Sequence, residues 1–129
     1  MENRLEGIII ITVDVFTKKF LELFPEYQAS YIEHIEFNGE LLPHVFFGET
    51  LNEDLPALIN SGKEEKLRSI FDFIEFMLKK GDTDVQEVIT LTILARLGDE
   101  PEILKKALKY MGTETRKASK EIETFWGRQ

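Results

Sequence analysis

The chain has 129 residues, 43% hydrophobic and 31% charged, with a net charge of −8. That length suits one domain with a core that needs no staples, and the composition is that of a folded chain rather than a disordered one. Cysteine is absent, which excludes disulfides, thiol catalysis and thiolate metal sites; the negative charge argues against nucleic acid or an anionic membrane as partner.

The opening "MENRLEGIIIITVDVF" holds an apolar run from Ile8 to Val13, preceded by Glu2 and Glu6 as well as Arg4. A signal peptide needs a basic leader and a longer apolar run, and a membrane span needs about 20 apolar residues. Neither is expected, and cytoplasm is the default compartment.

"VDVFTKKFLELFPEY" spaces Val13, Phe16, Phe20, Leu23 and Phe24 as a helix that stops near Pro25. "EYQASYIEHIEF" places Tyr27, Tyr31, Ile35 and Ile32 on a second helix, with Asn38-Gly39 as its stop. The same region has another reading. Asn-Gly is the favoured two-residue hairpin turn, so residues 31–47 also fit a small β-hairpin, against which Pro43 argues. Helix is the preferred reading. After Pro43 a helical segment is expected to about Ile59, broken near Gly48 or between Asn52 and Pro56. Leu41, Leu42, Val45, Phe46 and Phe47 read as core.

"SGKEEKLRSIFDFIEFMLKKG" puts Leu67, Ile70, Phe71, Ile74, Met77 and Leu78 on one stripe. Ser61 with Glu64 reads as a capping box, and Gly81 as the stop. "TDVQEVITLTILARLG" repeats the capping pattern at Thr83 and Gln86 and leaves little polar face, so this helix is expected to be central. Its β-branched run from Val88 to Thr92 also suits a strand; the caps and the Gly98 stop favour helix. "DEPEILKKALKYMG" has Asp99 as cap, Pro101 in the first turn, and Ile103, Leu104, Ala107, Leu108 and Met111 as stripe. In "TETRKASKEIETFWG", Ala118, Ile122, Phe125 and Trp126 are expected to face inward, with Trp126 closing the core. The prediction is an all-α fold in one domain, residues 1–129. It would be a compact antiparallel helical bundle, or a short HEAT-like stack, of about six to seven helices.

No catalytic motif stands out. There is no GxSxG, P-loop, GxGxxG or HExxH. His34, Glu36, His44 and Glu49 are residue types that suit zinc or iron, but nothing in their spacing demands a metal. The pairs Glu64-Glu65 and Asp99-Glu100 lie at helix starts, where acids are expected structurally. Asp72 and Glu75 flank their stripe and read as solvated, or paired with Arg68 and Lys79. The expectation is no enzyme, no metal and no cofactor.

Charge placement says more. Residues 1–60 hold eleven acids and three bases, whereas residues 61–129 hold thirteen of each. No lysine or arginine lies between Lys19 and Lys63. Within that gap Glu33, Glu36, Glu40, Glu49, Glu53 and Asp54 surround His44, with Tyr27, Tyr31, Phe37, Phe46 and Phe47 interleaved. Aromatic anchors with unbalanced acid suit a basic protein surface. These six acids and His44 are the candidate partner-binding residues. The plain alternative is a solvated acidic face over a core built from the same aromatics, with His44 hydrogen-bonded locally.

The blocks "FLELFPEY", "NGELLPHVFFGE", "IFDFIEFMLKKGDTDVQEVI" and "LGDEPEILKKALKYMGTET", with the closing "FW", resemble an uncharacterised family of small bacterial all-helical proteins associated with polymorphic-toxin immunity proteins. The resemblance runs from about residue 16 to 128. It implies a compact all-α protein that binds another protein, a basic cognate toxin, and covers its active site or a neighbouring surface. It carries over no catalytic residue. The alternative is a helical adaptor or scaffold with a different partner, or one that pairs with itself as a homodimer.

Overall fold

The computed structural model describes residues 10–128. The chain is all-α. In order it forms α1 (Val13–Leu23), a 3-10 turn (Pro25–Tyr27), α2 (Gln28–Asn38), α3 (Pro43–Glu49), α4 (Leu51–Ser61) and α5 (Glu64–Lys80). There follow α6 (Thr83–Glu87), a π-helical segment (Val88–Leu94), α7 (Ala95–Leu97), α8 (Pro101–Ala107), a 3-10 turn (Leu108–Tyr110) and α9 (Thr113–Phe125). The readings of Arg4, Glu2, Glu6 and the first part of the Ile8–Val13 run lie outside the described residues. No described helix is long and apolar enough to cross a membrane.

The hairpin alternative over 31–47 does not form. Gly39 follows α2 at φ +80°, and its N–H bonds the Ile35 carbonyl, so Asn38-Gly39 ends a helix instead of turning a hairpin. A left-handed residue is inexpensive there only as glycine. Pro43 then sits in the first turn of α3, where its missing N–H costs nothing. The expected break falls at Thr50, with φ −114° and ψ −86°, and α4 runs on through Pro56.

Among the described residues the extended pairing is one parallel bridge between Ile11 and Gly81. Ile11 donates to the Lys80 carbonyl, and the Asp82 N–H donates back to Ile11. The Phe16 ring stacks on Phe73 at 5.4 Å, and Glu26 pairs with Lys66. From these contacts α1 and α5 run antiparallel.

Phe20 sits at the hub of the first half. Phe24, Tyr27, Phe46, Phe47 and Phe73 approach it at centroid distances between 4.9 and 6.2 Å, in tilted, stacked and edge-on arrangements. Such pairs add about 0.5–1.5 kcal/mol each beyond burial. This cluster joins α1 and α3 of the first half to α5 of the second.

The central helix is as buried as its sequence suggests: Val85, Val88, Ile89, Ile93, Leu94 and Leu97 are all core. It is not uniformly α, however. The Ala95 N–H reaches the Thr90 carbonyl, five residues back. Five of the seven residues from Val88 to Leu94 are β-branched, and their crowding disfavours a tight α spiral.

Several expected details shift. Ser61 ends α4 and does not cap α5. The cap of α6 is Asp82, whose carboxylate accepts the Val85 N–H at 2.9 Å, not Thr83. Asp99 pairs with Arg128 instead of capping α8. Leu23, Val45, Leu108, Phe125 and Trp126 lie on the surface; Trp126 is 56% exposed and closes no core. Gly127 follows the last turn of α9 at φ +72°. Arg128 then bonds Glu123, Asp99 and the Ala95 carbonyl. That anchoring leaves the adjacent Phe125–Trp126 pair outside.

Candidate functional site

The candidate face is built on α2 and α3. Helix α2 is weakly amphipathic, and His34 is its one buried residue. Tyr31 packs beside it, edge-on to Phe46, and His34 meets the same ring at 5.5 Å. A histidine serves here because α3 lacks a side-chain cap of its own. His34 Nε2 accepts the Leu42 N–H at 2.9 Å, just before Pro43. An accepting Nε2 places the proton of the neutral ring on Nδ1. That atom lies 3.8 Å from a Glu49 carboxylate oxygen. Asn38 donates to the His34 carbonyl at 3.0 Å and closes the end of α2 around the ring. One buried ring thus fixes the separation of α2 and α3.

Between them runs a groove of about 510 Å³, lined by Ser30, Glu33, His34, Phe37, Val45 and Glu49 among others. Phe37 stands on its edge at 89% exposure, and Val45 is also exposed. Phe37 and Val45 thus place exposed apolar surface on the rim of a groove that also carries Glu33 and Glu49.

The structure sorts the seven predicted residues. Glu33 and Glu49 are brought together on the groove, from α2 and α3. Glu36 and Glu40 are exposed and flank Phe37 in sequence, and Glu53 is exposed in the first turn of α4. His44 and Asp54 are surface residues with structural partners. His44 Nδ1 lies 2.5 Å from the Thr92 hydroxyl, joining α3 to the π segment. Asp54 accepts the Tyr27 hydroxyl at 2.5 Å. Burial, then the hydrogen bond and charge of Asp54, push that phenol above its usual range.

Among the described residues no cation pairs with Glu33, Glu36, Glu40 or Glu53. In the base-free stretch, Glu26 pairs with Lys66 and Glu49 faces only His34. The sequence groups Phe37 with Phe46 and Phe47, yet the last two are fully buried. The sign that separates them is position, since Phe37 falls off the Tyr27, Tyr31 and Ile35 stripe and four residues after Glu33. Ser30 and Val45 carry no such sign. His34, a residue type suited to a metal, is instead the floor of the groove. Among the described residues, no three carboxylate or imidazole groups converge as metal ligands.

Two other apolar features reach the surface. A groove of about 400 Å³ between α1 and α5 exposes Leu23 and Phe76. At the end of α9, Phe125 and Trp126 meet edge-on at 5.6 Å.

Fold and site together define a small all-α protein with an acidic, aromatic-edged groove between α2 and α3. Within that class the chain belongs to the family described as a domain of unknown function, DUF7674, whose model matches residues 17–127. Neither a curated protein nor a solved structure matches the sequence.

Proposed function

We propose that the chain is a non-enzymatic binding module that docks a basic protein on its α2–α3 face. In its most specific form it is a cytoplasmic immunity-type inhibitor of a basic bacterial toxin. The observation that carries this reading is Phe37, a fully presented aromatic ring set among Glu33, Glu36 and Glu40, none of them paired with a cation among the described residues. An exposed ring supplies buried area when a partner covers it, and unpaired acids accelerate encounter with a basic surface. A solvated face needs the acids but gains nothing from the ring.

The test is binding to the product of the neighbouring gene at low and high salt. Glu33→Lys, Glu36→Lys and Glu49→Lys together should slow association by about tenfold or more at low salt. Phe37→Ala should raise the dissociation rate. Unchanged rates in both variants would sink the reading.

A second reading is an adaptor or homodimer, favoured by the exposed Phe125–Trp126 pair and by Leu23 with Phe76. Light scattering separates it, since a strict monomer at high concentration removes the homodimer.

A further inference from the structure

We infer that the groove between α2 and α3 is a socket for an arginine side chain of the partner, with the guanidinium held between Glu33 and Glu49 and laid on the Phe37 ring. This rests on the reading of that face as the site for a basic protein and adds which basic side chain it selects.

The walls carry the argument. Carboxylates come from two different helices, Glu33 from α2 and Glu49 from α3, so acceptors face the groove from both sides. Between them the lining is mixed: Phe37 and Val45 at the edge and the buried His34 ring below, with the polar Ser30, Asn38 and Thr50 beside them. A volume near 510 Å³ accommodates a long side chain together with neighbouring atoms of the partner. Lysine brings a compact, strongly hydrated point charge that neither forks between two carboxylates nor lies flat on a ring. Arginine brings a planar, weakly hydrated fork of five donors, whose faces stack on an aromatic ring while its edges bond carboxylates in more than one direction.

Among the described residues, nothing offers the groove such a cation. The stretch from Phe20 to Gly62 contains neither lysine nor arginine, and no described cation pairs with Glu33. Charge complementarity therefore points to a partner's side chain. His34 gives the socket a fixed width, because its ring bonds the Leu42 N–H that begins α3 while standing on α2.

The experiment uses the full chain, labelled with 15N, and three capped tripeptides with arginine, lysine or citrulline between alanines. Amide shifts are followed as each is titrated into the millimolar range. The expected result is saturable shifts at Phe37, Glu33 and Glu49 with the arginine peptide. The lysine peptide should bind roughly fivefold more weakly, and citrulline should not bind. Phe37→Ala should bring the arginine-to-lysine ratio close to one, while Phe37→Tyr keeps it. Both substitutions fall on an exposed position, so folding is not in question.

Equal binding of arginine and lysine at these residues overturns the socket and leaves the acidic docking face standing. So does an arginine preference that survives Phe37→Ala. Absence of any shift at the groove overturns the socket outright. The larger reading then falls only if the neighbouring gene's product also ignores charge reversal on this face.

Discussion

Of the helices that begin without a side-chain cap of their own, two borrow an acceptor from elsewhere in the chain. Helix α3 borrows His34 from α2, and α9 borrows Glu75 from α5. The loans differ in kind. Glu75 is a carboxylate with 15% of its side chain exposed. It accepts the Glu114 N–H at 3.0 Å, the Thr115 N–H at 2.9 Å and the Thr115 hydroxyl at 2.7 Å. His34 is a neutral ring that accepts one N–H. Charge at the start of α9 suits the helix dipole and locks two long helices together. A neutral ring at the start of α3 holds position while leaving the surrounding acids without a counter-charge. The second half commits several of its acids to its own structure: Glu64 to Arg68 and Lys109, Glu100 to Arg96, Glu123 to Arg128. The first half leaves most of its acids facing out.

The largest effect expected from this contrast is at Glu75. Glu75→Ala strands two N–H groups and a buried hydroxyl at once, and should destabilise by about 3 kcal/mol, read as a lower urea midpoint at an unchanged slope. Acid should expose the same link. Burial alone would raise the Glu75 carboxyl, yet the hydrogen bonds from Glu114 and Thr115, with Lys79, outweigh it and hold it below the usual range. A depressed carboxyl contributes its full stability above its unfolded value, about 4.3, and loses it as pH falls through the lower folded value. The gap between native and Glu75→Ala stability should therefore shrink on going from about pH 7 toward about pH 3. A constant gap would show that the charge is not what matters.

His34→Ala comes next, at about 2 kcal/mol, from a cavity beside Phe46 and the lost acceptor for Leu42. It should also loosen α3, seen as faster amide exchange at Leu42 to Phe46 with α9 unaffected. Equal loosening at both ends would mean that the two caps are not independent. Gly112→Ala should cost about 1–2 kcal/mol. A Cβ there would lie 2.5 Å from the Glu75 carboxyl carbon and push the cap off α9. In a Glu75→Ala background the same change should cost much less, because the obstacle has gone.

Much of the fold is legible in the sequence. Stripes such as Leu67, Ile70, Phe71, Ile74 and Met77 mark a helix whose face must be buried, and they are buried. Pro43, Gly39 and Gly81 punctuate by local backbone chemistry, which sequence carries directly. What stays hidden is whatever depends on contacts across long separations. Ser61 has the spacing of a cap for Glu64, but α4 continues through it. Glu75 has the spacing of a solvated helix acid paired with Lys79; that pair exists at 3.7 Å, yet its principal partners are 39 and 40 residues away. Phe125 and Trp126 sit at inward spacing on α9, and nothing local records that the helix outruns the core. On the site, the base-free stretch marks the right region. It does not reveal that Phe37 faces water while Phe46 and Phe47 do not, or that Asp54 is engaged by Tyr27 and His44 by Thr92.

The smallest stability effect should fall on the exposed acids of the docking face. Glu36→Lys and Glu40→Lys remove no hydrogen bond and no ion pair among the described residues, and surface changes of this type stay within about 0.5 kcal/mol. Their sign should be favourable, because each relieves repulsion within a group of acids that no base interrupts. The gain should vanish as salt rises to about 1 M, where the screening length drops to roughly 3 Å. A double variant that melts at or above the native temperature at low salt, yet associates more slowly with a basic partner, would separate the face from the fold. A double variant that melts markedly lower would place these acids in the structure's own interactions, as Glu75 is, and the contrast between the two halves would fail.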